Sequence, residues 1–255
     1  MTGWNDWAVR RAETLEALGF FTRLPFLARP LEPRDGAPAE ASWAFPLAGA
    51  AVGLCGAVIY AIAAALSQPP LLAGLLAVAA TALVTGGMHE DGVANTIERL
   101  VGRGDVADRL RDGRHGTFGI LGIVLSIGLR AAALAAVGTL HGAGAIAGVL
   151  IAANALGRGL LPGVLLWLSP IGTSDFGTGR PEARNVATAA GIALVIAVLG
   201  MGFKAGIVAL LVAAAAVALT AWAAQRRIGG YDADALGAME QAGEIAALLV
   251  AAAWT

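Results

Sequence analysis

The stretch ASWAFPLAGAAVGLCGAVIYAIAAALSQPPLLAGLLAVAATALVTGGMH, Ala41 to His89, contains no Asp, Glu, Lys or Arg. A membrane-spanning helix needs about 20 mainly apolar residues, so this stretch is long enough for two. Proline lacks a backbone N–H and restricts the residue before it, which places the break at Gln68-Pro69-Pro70. The stretch therefore predicts two successive spans, Trp43 to Leu66 and Leu71 to Met88.

The rest of the chain continues this pattern. Of its 255 residues, 58% are hydrophobic and 14% charged, whereas a soluble domain has about 25% charged residues. Further spans are predicted at Phe118 to Leu140, Ala145 to Leu168, Val186 to Phe203 and Ala205 to Ala224. The last apolar run, from Gly243, is too short to cross alone and is expected to be a half-span or a packed amphipathic helix. We predict an all-α polytopic integral membrane helix bundle of six to seven spans, forming one domain over residues 1–255.

Residues 1–40 are expected to form an interfacial segment. Charged and apolar residues interleave there, which excludes a cleavable signal peptide. The pattern favours an amphipathic helix lying at the membrane surface, with an aromatic and aliphatic anchor set. The predicted anchors are Trp4, Trp7, Leu15, Leu18 and Phe21.

The positions of the charges predict the orientation. With the spans above, four arginine-containing regions share one side of the membrane, and the other side holds only Lys204. The positive-inside rule makes the shared side cytoplasmic, with the N-terminus on it. All 18 Asp and Glu residues also fall on that side, which indicates that the cytoplasmic face carries the activity.

Residues 89–117 form a dense band of acids and arginines on that face, which we expect to be a catalytic loop. If the band is helical, spacings of three, four and seven residues place its polar side chains in two stripes. The stripes are Asp91, Asn95 and Glu98, then Asp105, Asp108 and Asp112. Carboxylates bind Mg²⁺ and arginines bind phosphate, the equipment of phosphoryl transfer. The alternative, a solvated and salt-bridged loop, is favoured for Asp105 and Asp108.

Two arginines lie inside predicted spans. Arg130 lies in the third span and Arg158 near the middle of the fourth, beside Asn154, while no predicted span contains a carboxylate. A buried charge requires a partner. Snorkelling or an ion pair with the acidic band, and contact with an anionic ligand, remain open alternatives. His89, at the boundary of the band, is a candidate general base, metal ligand or hydrogen-bonded structural residue.

Several ordered motifs resemble a known family. TGGMHEDGVANTIERL, residues 85–100, resembles the TGG(x)HxDGxxDxxDG signature of adenosylcobinamide-GDP ribazoletransferases, the cobalamin synthases of vitamin B12 biosynthesis. RDGRHGTFG, residues 111–119, resembles the second signature of that family, (K/R)DSRxGTxG. FFTRLP at 20–25, FPLAGA at 45–50, the Arg158-Gly159 pair and GGYDADALGAMEQAGE at 229–244 resemble its other motifs. The departures include Asn95 for Asp, Glu98-Arg99 for Asp-Gly, Gly113 for Ser, Asp232-Ala233 for Thr-Gly and Gln241 for Glu.

The resemblance implies a Mg²⁺-dependent transfer of α-ribazole, or its 5′-phosphate, to adenosylcobinamide-GDP with release of GMP. The residues expected to hold Mg²⁺ on the pyrophosphate are Glu90, Asp91, Asn95, Glu98 and Asp112. Asn95 still offers an oxygen ligand. A lipid bilayer and the two substrates are the expected partners, nucleic acid is not, and a homo-oligomer stays open.

The remaining roles follow from the same resemblance. Substrate contacts are expected from His89, Arg111, Arg114, Arg130 and Arg158. The expected catalytic residues are Asp91, Asp112, Asp234 and Glu244. Asp112 would complete the metal site or orient the attacking hydroxyl of α-ribazole. Asp234 and Glu244 would be further metal ligands or the general base.

Two other classes of membrane protein share part of this pattern. A membrane CDP-alcohol phosphotransferase also uses an acidic motif opening with Asp-Gly, but here Ala94-Asn95 stands where that family has Ala-Arg. A transporter would explain the spans and the intramembrane arginines, yet no internal repeat is evident and the acids crowd one face instead of the midplane.

Overall fold

The computed structural model of the protein describes residues 7–23, 37–102, 106, 115–171 and 179–254. Within these residues the structure is helical and contains no β-strand beyond one isolated bridge between Pro170 and Tyr231. The helices are α1 (Trp7–Phe21), α2 (Ala37–Glu40), a 3-10 turn (Ala41–Ala44), α3 (Phe45–Ala65), α4 (Pro70–Thr85), α5 (Met88–Val101), α6 (Thr117–His141), α7 (Ala143–Gly159), α8 (Leu161–Trp167), α9 (Ala183–Met201), α10 (Phe203–Arg227) and α11 (Ala233–Ala253).

Six helical segments in the described part of the chain are long and apolar enough to cross a membrane. They are Pro38–Ala65, Thr117–His141, Ala143–Trp167, Ala183–Met201, Phe203–Arg227 and Ala233–Ala253. The number rises to seven if α4 and α5 together form one bent span. The prediction of an all-α polytopic membrane bundle with six to seven spans is confirmed.

The second predicted span, Leu71 to Met88, divides at a sharp bend. α4 ends at Thr85, and Gly86 and Gly87 follow with φ angles of 71° and 72°. Glycine adopts this left-handed region without steric cost, which allows α5 to leave at 91° to α4. The 16 residues of α4 measure about 24 Å at 1.5 Å per residue. The second span was predicted to end at Met88, and α4 ends three residues earlier, because apolar composition does not register a bend.

The last helix is longer than predicted. α11 begins at Ala233, has 21 residues and qualifies as a span, so the prediction of a segment too short to cross was wrong. Asp234, Glu240 and Glu244 lower the hydropathy of its first half, and that is why the sequence placed its start near Gly243. The expectation that no span contains a carboxylate was wrong for the same reason.

Small residues allow the central helices to approach closely. α3 packs along α7 so closely that backbone atoms of the two helices meet. A Cβ atom on Gly49 would collide with the carbonyl oxygen of Asn154, and one on Gly53 would collide with the backbone of Leu150 and Ile151. Gly49 and Gly53 form the GxxxG spacing typical of tightly packed membrane helices. The tight α3–α7 contact holds Arg158 of α7 at a fixed position in the bundle.

α1 agrees with only part of the predicted interfacial anchor set. Trp7 and Leu15 are 86% and 39% exposed, as lipid anchors need to be. Phe21, in contrast, is 1% exposed and Leu18 packs on the protein core, so these two residues hold α1 to the bundle. Trp4 lies outside the described residues.

Candidate active site

The polar residues predicted from the two ends of the chain meet where α5 crosses α11. A Cβ atom on Gly92 would lie 2.6 Å from the carbonyl oxygen of Asp234, and one on Gly237 would lie 3.3 Å from Cα of His89. The two backbones therefore almost touch, and only glycine leaves room for this approach. α6 packs against both helices. The first halves of α5 and α11 thus form one joint site.

Five polar residues at this crossing form what we term the crossing cluster: Asp91, Asn95, Arg99, Asp232 and Asp234. Asn95 Nδ2 donates to Asp234 Oδ2 at 3.1 Å. Both terminal nitrogens of Arg99 donate to the carboxylate of Asp232, and Nη2 lies 3.7 Å from Asp234 Oδ2. Asp91 is exposed, and its charge acts on Asp234. The fold therefore brings Asp234 beside Asn95, which lies 139 residues away from it, and beside Asp91, which the sequence had placed on the same helical stripe as Asn95.

Asp232 serves as the N-cap of α11 and as the anchor of Arg99. Its carboxylate accepts from the backbone N–H of Ala235 at 2.9 Å, the usual contact of an N-cap aspartate. Burial by itself would raise the pKa of Asp232, but the hydrogen bonds from Arg99 and Ala235 and the charge of Arg99 outweigh it, so the pKa lies below its usual range. Asp232 is therefore ionised at neutral pH and fixes Arg99 beside Asp234.

A buried charge network lies next to the crossing cluster, deeper in the bundle. Arg130 Nη2 donates to Glu90 Oε1 at 2.8 Å, and Arg130 Nη1 lies 3.7 Å from Glu244 Oε1. Ser126 Oγ, one turn before Arg130, donates to the Gln241 amide oxygen at 2.8 Å. Arg130 of α6 therefore binds α5 and α11 together. Of the two alternatives for this arginine, the structure supplies an ion pair.

Arg158 makes the second ion pair of the buried charge network. Its Nη1 lies 2.6 Å from Glu240 Oε1 and 3.0 Å from Asn154 Oδ1. The imidazole of His89 is 2% exposed, and its Nε2 lies 3.9 Å from Glu240 Oε2. Neither ring nitrogen of His89 nor Glu240 Oε2 has a hydrogen-bond partner within the described residues. Buried polar groups without a partner are costly, so these three atoms are the unsatisfied part of the buried charge network.

Phe21 closes the outer side of this network. Its ring stacks on His89 at 6.1 Å between centroids, and the Arg158 guanidinium lies 5.6 Å from its centre. Phe45 packs edge-on against Phe21 at 4.8 Å. An aromatic face attracts a cation, so Phe21 both shields and stabilises Arg158. The FFTRLP and FPLAGA motifs contribute these two rings.

Glu98, a predicted metal ligand, binds the start of α6 with one of its carboxylate oxygens. It is 1% exposed, and its Oε1 accepts from the backbone N–H of Gly119 at 2.8 Å. Gly119 is the third residue of α6, where backbone N–H groups have no partner inside the helix. A Cβ atom on Gly116 would collide with the Glu98 carboxylate. Glu98 thus contacts the start of α6 and Glu90 contacts Arg130, so each of these two acids has a partner outside the crossing cluster.

Three predicted site residues lie outside the described residues: Arg111, Asp112 and Arg114. The second acidic stripe, Asp105, Asp108 and Asp112, also lies outside them. The described chain resumes at His115 and Gly116, beside Glu98.

The crossing cluster fits the donor chemistry of Mg²⁺. Among the described residues no three His, Cys, Asp or Glu side chains converge on one point. Mg²⁺, however, keeps several waters and is commonly held by one or two carboxylates plus substrate phosphate oxygens. Asp91 and Asp234 supply two carboxylates whose charges interact, and Arg99 balances part of the charge of Asp234.

Sequence reasoning missed Glu240 and the Arg99–Asp232 pair. Glu240 precedes Glu244 by four residues, which places both on one helical face, and this spacing offered partners for the two intramembrane arginines. An Asp directly before a helix is a typical N-cap signal. Asp232 would therefore have placed the start of α11 correctly at Ala233. The pairing of Arg99 with Asp232 leaves no local signal, because 133 residues separate them.

Comparisons with known proteins agree with the motifs. The family model described as cobalamin-5-phosphate synthase matches residues 13–252. An adenosylcobinamide-GDP ribazoletransferase of Bradyrhizobium diazoefficiens is 40% identical over 244 residues, which cover 93% of this chain and 92% of the relative. The protein of that name from Brucella canis is 35% identical over 247 residues, covering 93% and 95%. No solved structure matches the chain. The chain belongs to the cobalamin-5-phosphate synthase family.

Proposed function

We propose that the protein is an adenosylcobinamide-GDP ribazoletransferase that completes a corrinoid at the membrane. Family membership over most of the chain supports this activity and disfavours the CDP-alcohol phosphotransferase and the transporter. The observation that carries the proposal is the contact of Asn95 with Asp234, because it joins the two family motifs into one polar site.

The reaction is a phosphoryl transfer. The ribose 3′-hydroxyl oxygen of α-ribazole, or of its 5′-phosphate, attacks the phosphorus nearer the corrinoid. The new P–O bond gives a phosphodiester, the bond to the bridging oxygen breaks, and its electron pair leaves with GMP. The hydroxyl proton must pass to a base as the oxygen attacks.

Asp234 is the general base in this proposal. Asn95 donates to one of its carboxylate oxygens, which fixes the carboxylate at the mouth of the site. Arg99, itself held by Asp232, lies 3.7 Å away and is placed to meet a phosphate oxygen. Glu244 is a weaker candidate, because it is 2% exposed and faces Arg130.

Asp91 is the proposed holder of Mg²⁺, with waters and substrate phosphate oxygens as the remaining ligands. When bound, Mg²⁺ would neutralise charge on the pyrophosphate oxygens. The exposed carboxylate of Asp91 lies at the open side of the crossing cluster, where a pyrophosphate group can reach it.

The crossing cluster is proposed to face the cytoplasm of a bacterium, with the bundle in its inner membrane. Arg226 and Arg227 end α10, next to the crossing cluster along the chain, whereas Lys204 lies at the opposite end of the same helix. This asymmetry supports the proposed orientation under the positive-inside rule.

The activity is tested with purified protein in detergent, supplied with adenosylcobinamide-GDP, α-ribazole and Mg²⁺. We expect stoichiometric GMP and complete corrinoid, and at least a hundredfold lower rate for Asp91→Asn. Glu182→Gln is the matched control, because Glu182 is an exposed acid outside the cluster and should leave the rate unchanged. Folded wild-type protein that releases no GMP contradicts the proposed function.

A further inference from the structure

An apolar cavity of about 360 Å³ lies between α5, α6, α10 and α11. Its wall consists mostly of aliphatic side chains and alanines, including Val93, Ile97, Leu125 and Ile245. The volume is within the usual range for small-molecule sites, which are mainly apolar with a few placed polar groups. Ser126 and Gln241, which hydrogen-bond to each other, also line the cavity.

The cavity adjoins the crossing cluster through two shared helices. Thr96 lines it and directly follows Asn95 along α5, and Ala238 lines it one turn after Asp234 along α11. The cavity and the crossing cluster therefore occupy neighbouring turns of the same two helices. Leu125 and Leu219, which also line the cavity, are 60% and 65% exposed, so its open side faces the apolar surface of the bundle.

Thr96 gives the cavity one polar feature that the fold leaves unused. The residue is fully buried (0%), and its Oγ1 has no hydrogen-bond partner within the described part of the chain. Two other helical threonines, Thr139 on α6 and Thr220 on another wall of this cavity, donate to a carbonyl oxygen one turn earlier. A buried hydroxyl without a partner costs free energy, so Thr96 is suited to donate to an acceptor on a bound molecule.

We infer that this cavity binds the fused aromatic base of α-ribazole and presents its ribose to Asp234, an inference that rests on the proposed function. The dimethylbenzimidazole base is flat and apolar, has no N–H donor, and carries one ring nitrogen that accepts a hydrogen bond. The cavity offers the complement, a mostly aliphatic wall and one buried hydroxyl without a partner among the described residues, because the hydroxyls of Ser126 and Thr220 are already bonded. A purine or pyrimidine base would leave exocyclic polar groups unpaired against that wall, which is heavily penalised.

Two substitutions test the two halves of this inference. Ala223→Leu, on the cavity wall contributed by α10, fills the space and should raise both the KM and the Kd for α-ribazole at least tenfold. Thr96→Val removes the hydroxyl at constant shape and should weaken α-ribazole binding about five- to tenfold. The KM for adenosylcobinamide-GDP should stay within twofold in both variants.

Matched controls keep the test specific. Ala218→Leu adds the same bulk at an exposed position of α10, and Thr139→Val removes a hydroxyl from an exposed position of α6; both should bind α-ribazole as the wild type does. Kd is measured by titration calorimetry on detergent-solubilised protein, and co-purified lipid by native mass spectrometry. Unchanged α-ribazole affinity in folded Ala223→Leu overturns the inference. If that variant also loses a bound lipid, the cavity belongs to an acyl chain.

The proposed function and this inference fail differently. Wild-type protein that releases no GMP refutes the function itself. Wild-type protein that turns over normally while Ala223→Leu and Thr96→Val keep the wild-type KM for α-ribazole refutes only the base site.

Discussion

Arg158→Met removes the cation of a fully enclosed ion pair while keeping a side chain of similar length. Arg158 and Glu240 are 1% and 0% exposed, and Arg158 Nη1 lies 2.6 Å from Glu240 Oε1. After the substitution the carboxylate of Glu240 remains in the bundle without its cation. Its other oxygen, Oε2, already has no hydrogen-bond partner among the described residues. We therefore expect a large loss of stability.

Removing one partner of a buried ion pair costs about 3–5 kcal/mol. For a chain of about this size, ~2–4 °C of melting temperature corresponds to 1 kcal/mol, so Tm should fall by roughly 6–20 °C. Replacing both charges, as in Arg158→Met with Glu240→Gln, should recover most of this loss, because a buried pair and a neutral substitute are often of similar stability. The double variant should therefore be more stable than Arg158→Met alone.

The assay is thermal unfolding in detergent, followed by intrinsic fluorescence of the six tryptophans, beside steady-state kinetics. Arg184→Met is the control, because Arg184 is 58% exposed and its removal should leave Tm unchanged. A wild-type Tm for Arg158→Met together with a raised KM for adenosylcobinamide-GDP would refute the reasoning and show that Arg158 serves the substrate.

Three further predictions concern other parts of the bundle. Asp234→Asn should lower kcat at least a hundredfold at unchanged Tm, measured by GMP release; a rate near wild type would exclude it as the base. Gly49→Leu should prevent the close approach of α3 to α7 and lower Tm or the yield of folded protein, and a normal Tm would contradict the packing described. The folded-state pKa of Asp232 lies below the unfolded value of about 3.9, so its stabilising effect is complete above that pH and is lost as the pH falls through the folded pKa. Acid unfolding of Arg99→Met, followed by circular dichroism, should show a weaker dependence on pH in that range than the wild type.

The span pattern was predictable because hydropathy is a local property. Charge-free runs placed α3, α6 and α10 to within a few residues, and the Gln68-Pro69-Pro70 break separates α3 from α4 as expected. The same averaging misjudged α11, since the acids at 240 and 244 made half of a span resemble a polar connection. A carboxylate neutralised by an arginine does not oppose membrane insertion as a lone one does, and hydropathy cannot register the partner.

The residue types of the site were predictable, but the partner of each acidic residue was not. The spacing of Asp91 and Asn95 on one face of α5 followed from helical periodicity. Glu98 has the same periodicity, yet it binds the first turn of α6, because that helix begins beside it. An acidic residue can face a ligand, an arginine or a backbone N–H, and the choice depends on how distant helices cross. Glycines such as Gly92 allow these crossings.

The ion pair between Arg158 and Glu240 also constrains how the protein is synthesised. Glu240 follows Arg158 by 82 residues, an interval of roughly 4–16 s at ~5–20 residues per second on the ribosome. During that interval α7 carries its cation without the carboxylate, a cost of about 2.5–3.5 kcal/mol at the centre of a bilayer. Asn154, on the preceding turn of the same helix, accepts a hydrogen bond from Arg158 Nη1 at 3.0 Å. This contact is local to α7, so it can form before Glu240 is synthesised. α11 is thus the closing element of assembly, and nascent chains that stop before Ala233 should be substrates for membrane quality control.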